Sequence, residues 1–208
     1  MEISKCLGIL AGGKGIRIGG DKPFKLFKDK PLILWVYEAV LPLNLKVYLS
    51  VRSPDQGERL LSLIRSAFTK NSQPLNVSIV QDVTPFEGPL AGVYSLVSTM
   101  KEEEEILILT CDQPLMKTEL LQRLFRQRAD ACLFQIEGKA EPFPLKLTKS
   151  VFSYLEEFIK TSKKKSIKEF LNLLEKYDKL TKLSLRGEEA IFLKNINTPQ
   201  ELEELSNV

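Results

Sequence analysis

The chain has 208 residues, with 30 lysines and arginines against 27 acids and a formal net charge of +3, a length that suits one α/β domain able to bury its core without staples. So small a charge does not by itself imply a nucleic-acid partner. The absence of histidine excludes Ser-His and Cys-His catalytic pairs and histidine metal sites.

Cys6, Cys111 and Cys132 are widely spaced and form no C-x-x-C pair, so neither disulfides nor zinc are expected. No apolar run reaches the length of a membrane span, and residues 1–5 lead into a strand rather than a signal peptide. The expectation is a cytoplasmic protein with no membrane contact.

Residues 6–10 read as a short buried strand that runs into Leu10-Ala11-Gly12-Gly13-Lys14-Gly15-Ile16-Arg17-Ile18-Gly19-Gly20-Asp21-Lys22. Five glycines leave backbone N–H groups unshielded, so the loop can close on an anion, and Lys14, Arg17 and Lys22 add cations opposed only by Asp21. This is a phosphate cradle, but not of two common kinds. Gly15 stands where the P-loop needs Ser or Thr, and Ile18 holds the third glycine position of the dinucleotide fingerprint. That fingerprint also wants an acid at the end of the second strand, where Ser50-Val51-Arg52 is found.

Leu32, Trp35, Val36, Ala39 and Val40 follow Pro31 at helical spacing, with Trp35 read as core. Residues 46–51 read as the second strand, and Ser53-Pro54-Asp55 starts a helix carrying Leu60, Leu61, Ile64 and Phe68. A turn at residues 71–74 leads to a third strand at 77–80, which ends at Gln81-Asp82. After a loop at residues 83–87, Gly88-Pro89 opens a helix whose Ala91, Gly92 and Ser95 suit close approach to the sheet or to a ligand. The acids at 102–105 read as a solvated lead-in to residues 106–110, whose continuous apolar character predicts a central parallel strand.

That strand ends in Cys111-Asp112-Gln113-Pro114. Open α/β sheets bind ligands at the carboxyl ends of their strands, so Asp112 is the best single metal-ligand candidate, with Thr118 left to cap the next helix. Residues 130–136 and 144–147 read as an antiparallel pair that makes the sheet mixed. Two amphipathic helices follow, one on Leu155, Phe158 and Ile159, the other on Ile167, Phe170, Leu171 and Leu174. Between them, Lys163-Lys164-Lys165 reads as a solvated turn or a contact for an anionic second substrate. Residues 190–193 read as a last strand, and Thr198, Pro199 and Glu201 form a capping box for the terminal helix. That box leaves Asn195 and Asn197 unexplained. The alternation of strands and helices predicts the doubly wound α/β class.

Residue for residue, the glycine loop fits the L-A-G-G-x-x-x-R-[MI]-G-x-D-K signature of nucleotidyltransferases. With Asp82, Gly88-Pro89-Leu90-Ala91-Gly92, Cys111-Asp112-Gln113-Pro114 and Asn195-Ile196-Asn197-Thr198-Pro199 in the same order, the whole chain resembles the molybdenum cofactor guanylyltransferases. The resemblance implies a Rossmann-like three-layer α/β sandwich with a mostly parallel, mixed central sheet of the nucleotide-diphospho-sugar transferase type, residues 1–208 forming one domain. It implies a Mg²⁺-dependent transfer of GMP from GTP to molybdopterin, with release of pyrophosphate. By position, Leu10, Ala11, Gly12, Gly13, Lys22, Ser50, Asp82 and Asp112 would hold GTP. Arg17, Lys22 and Asp112 would carry catalysis, Asp112 binding the metal with Asn197 as a second ligand.

Ser50 stands where that family often has asparagine, and Ile18 replaces the usual methionine. Gly12 stands where cytidylyl relatives carry alanine, and is expected to leave space for a purine. Partners would be GTP and molybdopterin, with transient contacts to other cofactor-biosynthesis or molybdoenzyme proteins. A cytidylyltransferase or sugar-phosphate nucleotidyltransferase of the same fold, and a non-catalytic GTP- or cofactor-binding module, are the alternatives.

Overall fold

A computed structural model describes residues 4–13, 15–68, 75–82, 86–100 and 104–206. Lys14, the turn read at 71–74, residues 83–85 and residues 102–103 lie outside the described residues. The strands are β1 (Lys5–Leu10), β2 (Leu26–Phe27), β3 (Lys30–Pro31), β4 (Lys46–Val51), β5 (Val77–Gln81), β6 (Glu105–Thr110), β7 (Ala131–Ile136), β8 (Lys139–Thr148) and β9 (Leu180–Ser184). The helices are α1 (Leu32–Val40), α2 (Pro54–Phe68), α3 (Pro89–Thr99), α4 (Thr118–Phe125), α5 (Phe152–Thr161), α6 (Ile167–Lys176) and α7 (Pro199–Ser206).

Seven strands form one sheet in the order β5-β4-β1-β6-β8-β7-β9. Only β8 runs against its neighbours β6 and β7, so the sheet is mixed and mostly parallel, with β6 at its centre. Period-2 alternation assigns each strand's side chains to one of two cores. Leu7 and Ile9 of β1, Val47, Leu49 and Val51 of β4, and Leu107 and Leu109 of β6 face the core covered by α1, α2 and α4. Cys6, Tyr48, Ile106 and Ile108 face the other, covered by α3, α5 and α6. Each Leu, Ile or Val so buried contributes about 1.5–3 kcal/mol, and the result is the three-layer sandwich.

Three details depart from the sequence reading. Residues 190–193 lie in a 3₁₀ segment, Gly187–Leu193, and the edge strand is β9. The apolar run divides its contacts, Phe192 and Leu193 in one core and Ile191 in a third cluster with α7, whereas β9 is half-exposed and carries no apolar run to announce it. Thr118 is the first residue of α4, and its hydroxyl donates to the Ala39 carbonyl at 2.7 Å instead of capping the helix. Glu105 is buried and meets the fully buried Lys146 Nζ at 3.3 Å, so the acid nearest the strand is a core charge held by a pair rather than a solvated one.

The register positions the site. Leu10 lies opposite Ser50 on one side and Thr110 on the other, and Ser50 opposite Val80. The parallel ladders therefore stop together. Ala11 N–H donates to Ser50 O at 2.9 Å, Asp82 N–H to Val51 O at 2.8 Å and Cys111 N–H to Leu10 O at 3.1 Å, which carries all three chain segments over the carboxyl edge side by side.

Candidate active site

A cleft of about 590 Å³ opens along that edge. Of the residues singled out from the sequence, Leu10, Gly12, Gly13, Lys22, Ser50, Asp82, Asp112 and Asn197 line it. Ala11 and Arg17 do not. Ala11 is fully buried, and its carbonyl accepts a 3.1 Å hydrogen bond from Gln56 Nε2 of α2. Arg17 is exposed on the short 3₁₀ turn of the glycine loop.

One end of the cleft is charged. The Lys22 ammonium is paired with Asp112 Oδ2 and donates to Asn197 Oδ1 at 2.8 Å. Asp112 Oδ1 is buried and has no hydrogen-bond partner among the described residues. A carboxylate oxygen so placed is costly unless a cation or donor reaches it. The turn bearing Asp112 is fixed by Gln113, whose side-chain amide donates to Phe143 O and Leu193 O at 3.1 Å each. Ile196 N–H donates to Asp112 O at 2.9 Å, bringing the Asn195–Asn197 segment alongside. The α7 capping box then sets Asn197. Glu201 Oε2 accepts from Asn197 N–H at 2.6 Å and Thr198 N–H at 3.0 Å, while Thr198 Oγ1 accepts from Glu201 N–H at 3.2 Å. The asparagine left unexplained by the sequence thus sits beside the acid.

The other end is small and tightly packed. Ser50 Oγ donates to Asp82 Oδ1 at 2.7 Å. Burial pushes the Asp82 carboxyl above its usual range, and the Ser50 hydroxyl works against that shift. A Cβ at Gly12 would come within 2.8 Å of Asp82 Oδ2 and 3.2 Å of Arg52 N, and one at Gly92 within 2.7 Å of both Leu10 Cδ2 and Ser50 Oγ. The space freed at Gly12 is therefore taken up by Asp82 and the backbone after β4. The Cβ direction at Gly12 is thus closed, while Gly12 itself lines the open cleft. Gly88, at φ 101°, turns the chain into Pro89 at the start of α3, a conformation that L-residues avoid.

Sequence reasoning missed Arg52, Phe86, Glu87, Thr110 and Cys111, which also line the cleft. Arg52 pairs with Asp21, which Arg59 also reaches at 3.3 Å. The acid inside the glycine loop is therefore tied to the residue that follows β4 and to α2. Arg52 could have been found as the first residue beyond a strand end already marked by Ser50; Phe86 carries no comparable signal. Burial pushes the Cys111 thiol far up, with the Asp112 charge adding to it, so this cysteine is no nucleophile. Among the described residues no three His, Cys, Asp or Glu side chains cluster as a metal site would, and no helix is long and apolar enough to cross a membrane.

The family model of the MobA-like NTP transferase domain matches residues 7–179. The chain belongs to this family. Members similar to it along nearly their whole length include a probable molybdenum cofactor guanylyltransferase of Flavobacterium johnsoniae, 30% identical over 95% of this chain and 94% of that one. Another, of the same name, from Methanocaldococcus jannaschii is 29% identical over 93% and 94%. Among solved structures, molybdopterin-guanine dinucleotide biosynthesis protein A of Archaeoglobus fulgidus superposes with a TM-score of 0.75 at 24% identity, covering 98% of this chain and 97% of that one. The 4-diphosphocytidyl-2C-methyl-D-erythritol synthase of Anaerococcus prevotii reaches 0.76 at 12% identity, covering 99% and 95%. The fold is thus that of the nucleotide-diphospho-sugar transferases, and the MobA-like domain places this chain among nucleotidyltransferases.

Proposed function

We infer that this cleft transfers GMP from GTP to molybdopterin, giving the guanine dinucleotide cofactor and pyrophosphate. The observation that carries the reading is the two-ended cleft: a buried carboxylate, one oxygen of which has no partner among the described residues, beside Lys22 and Asn197, joined by the strand ends to a second, less charged end at Ser50 and Asp82. Relatives named as guanylyltransferases over nearly the full chain support it.

In this reading Leu10, Gly12, Gly13, Ser50 and Asp82 hold the guanosine part. The Asp82 carboxylate presents acceptors that suit the N1 and N2 donors of guanine, and Gly12 and Gly92 let it and Ser50 sit where they do. Ala11 acts from behind, holding the loop on Gln56. Lys22 and the glycine-loop N–H groups hold the phosphates. Asp112 and Asn197 are hard oxygen ligands suited to Mg²⁺, which keeps several waters and needs few protein carboxylates. When bound there it would neutralise charge on the triphosphate.

An oxygen of the molybdopterin phosphate attacks the α-phosphorus of GTP, forming one P–O bond as the bond to the β-phosphate oxygen breaks. The pair of electrons leaves with pyrophosphate. A phosphate monoester is already anionic near neutral pH, so no strong general base is needed, in keeping with a chain that has no histidine. Positioning and charge neutralisation are what the protein must supply. Arg17, outside the cleft, enters as a loop cation acting on turnover. The reading carries with it a cytoplasmic setting and transient contacts with proteins that make or receive the cofactor.

The test is pyrophosphate release by the full chain with molybdenum-molybdopterin and each of GTP, CTP and ATP. Release with GTP, well ahead of CTP and ATP and only when the pterin is present, is expected. Equal rates with CTP would remove the guanylyl reading, and GTP binding without any release would make the protein a binding module.

A further inference from the structure

The same lysine that the phosphates call for is found on the carboxylate that a cation calls for. Lys22 Nζ is paired with Asp112 Oδ2 and reaches Asn197 Oδ1 at 2.8 Å, and the Lys22 and Asp112 side chains are each only 12% exposed. The backbone under this contact is held. Asp21 is tied to Arg52 and Arg59, Pro23 is buried, and Lys25 N–H donates to Lys22 O at 3.1 Å. Gly15 presses so close that a Cβ there would come within 2.9 Å of Lys22 Cβ. What is left to move is the lysine's four-carbon stem and its ammonium, a compact charge on rotatable bonds.

We propose that Lys22 is a resident stand-in for the divalent cation: in the nucleotide-free protein its ammonium occupies the Asp112–Asn197 position, and it gives that position up only when triphosphate oxygens draw it away. Two cations on one carboxylate repel, so the ammonium and a metal ion compete for Asp112. The divalent ion then enters with the nucleotide and not before it. This rests on the assignment of Asp112 as a cation ligand made above, and adds an order of binding that the assignment alone does not contain. Asp112 Oδ1, without a hydrogen-bond partner among the described residues, fits the arrangement, because a single ammonium satisfies one carboxylate oxygen and leaves the other for the cation that replaces it.

The test uses Mn²⁺ alone as the probe, titrated into the full chain without nucleotide or pterin and followed by the paramagnetic resonance signal of free Mn²⁺. The unmodified protein should bind weakly. Lys22→Met should bind tighter by roughly tenfold or more, since a charge beside the site has gone, and adding Asp112→Asn to it should abolish the gain. Lys22→Gln is a second probe of the same size without the charge, and melting curves establish that each variant is folded. Unchanged or weaker Mn²⁺ binding in both variants would overturn the proposal. So would loss of the fold in both, because a contact that opens in every catalytic cycle is not one the fold depends on. A failure here leaves guanylyl transfer standing, as no GTP is in the assay. Tightened Mn²⁺ binding in a protein that releases no pyrophosphate from GTP would remove the reaction and keep the stand-in.

Discussion

At one end of the cleft Lys22, Asp112 and Asn197 hold one another by charge and hydrogen bonds; at the other, Gly12, Gly92, Ser50 and Asp82 hold one another largely by shape. Both ends grow from the carboxyl edge of the same sheet, yet they answer to different physics. The charged end keeps one oxygen of Asp112 unpartnered among the described residues and its cation on a flexible stem. The packed end leaves no room for one added methyl. The lesson is a division of labour: mutations at the charged end should act on rate, metal binding and, at Lys22, the grip on the triphosphate, and those at the packed end on affinity for the base and the choice among nucleotides.

The largest effect is expected from Asp112→Asn, which keeps the shape and removes the charge. Pyrophosphate release should fall by roughly a hundredfold or more, an electrostatic contact in an enclosed site being worth about 3 kcal/mol. Metal-free GTP affinity, measured by calorimetry, should hold or improve, because an acid facing the phosphates and competing for Lys22 has gone. An unfolded variant or a parental rate would place the metal elsewhere and break the contrast between the ends.

Next comes Gly12→Ala. The new methyl has Asp82 Oδ2 at 2.8 Å and the Arg52 backbone nitrogen at 3.2 Å, and Asp82 is short and already tied to Ser50. GTP binding should weaken by about 1–3 kcal/mol, the usual cost of overpacking, while the Mn²⁺ affinity of the nucleotide-free chain is unchanged. Parental GTP affinity would show that Asp82 can step aside.

How much of this was legible beforehand divides along the same line. The charged end could be read because its parts are chemically conspicuous: glycines among cations after a first strand, and an acid closing the most apolar one. The packed end was read as residues but not as a mechanism, since whether Gly12 frees space or fills it depends on where Asp82 lies, and Asp82 arrives from β5. The parallel order followed from alternation, and the mixed half from the antiparallel pair at β7 and β8. The edge strand β9 did not, because its half-exposed Leu180–Ser184 stretch shows no apolar run. Glu105 reads as a solvated acid for a related reason: its burial against Lys146 is a property of the sheet it joins.

A smaller effect sharpens the placement of Asn197. Glu201→Ala removes the acceptor of the Asn197 and Thr198 N–H groups and should cost about 1 kcal/mol of stability, as the loss of a cap does. Melting temperature checks the cost, and a concurrent weakening of Mn²⁺ binding by Lys22→Met would show that the cap positions Asn197 for the cation.

The smallest is a stability change of opposite sign at the packed end. Burial raises the Asp82 pKa, so the folded chain binds that proton more tightly than the unfolded one, and ionisation destabilises the fold as pH rises through the carboxylate range. Asp82→Asn should therefore melt a few degrees higher near neutral pH, and the gain should shrink as pH falls below the ordinary carboxylate range. GTP affinity should drop in the same variant, stability and function pulling apart at a binding residue. A variant that melts lower at neutral pH would show the charge to be stabilising.

The division between the two ends is tested most directly by one ratio, kcat/KM for GTP over CTP with molybdopterin as acceptor, measured in the unmodified chain, Asp112→Asn and Gly12→Ala. The account predicts that Asp112→Asn slows both nucleotides together and leaves the ratio as it was, while Gly12→Ala lowers the ratio with a far smaller loss of rate. A ratio that collapses in Asp112→Asn, or survives intact in Gly12→Ala, would contradict it.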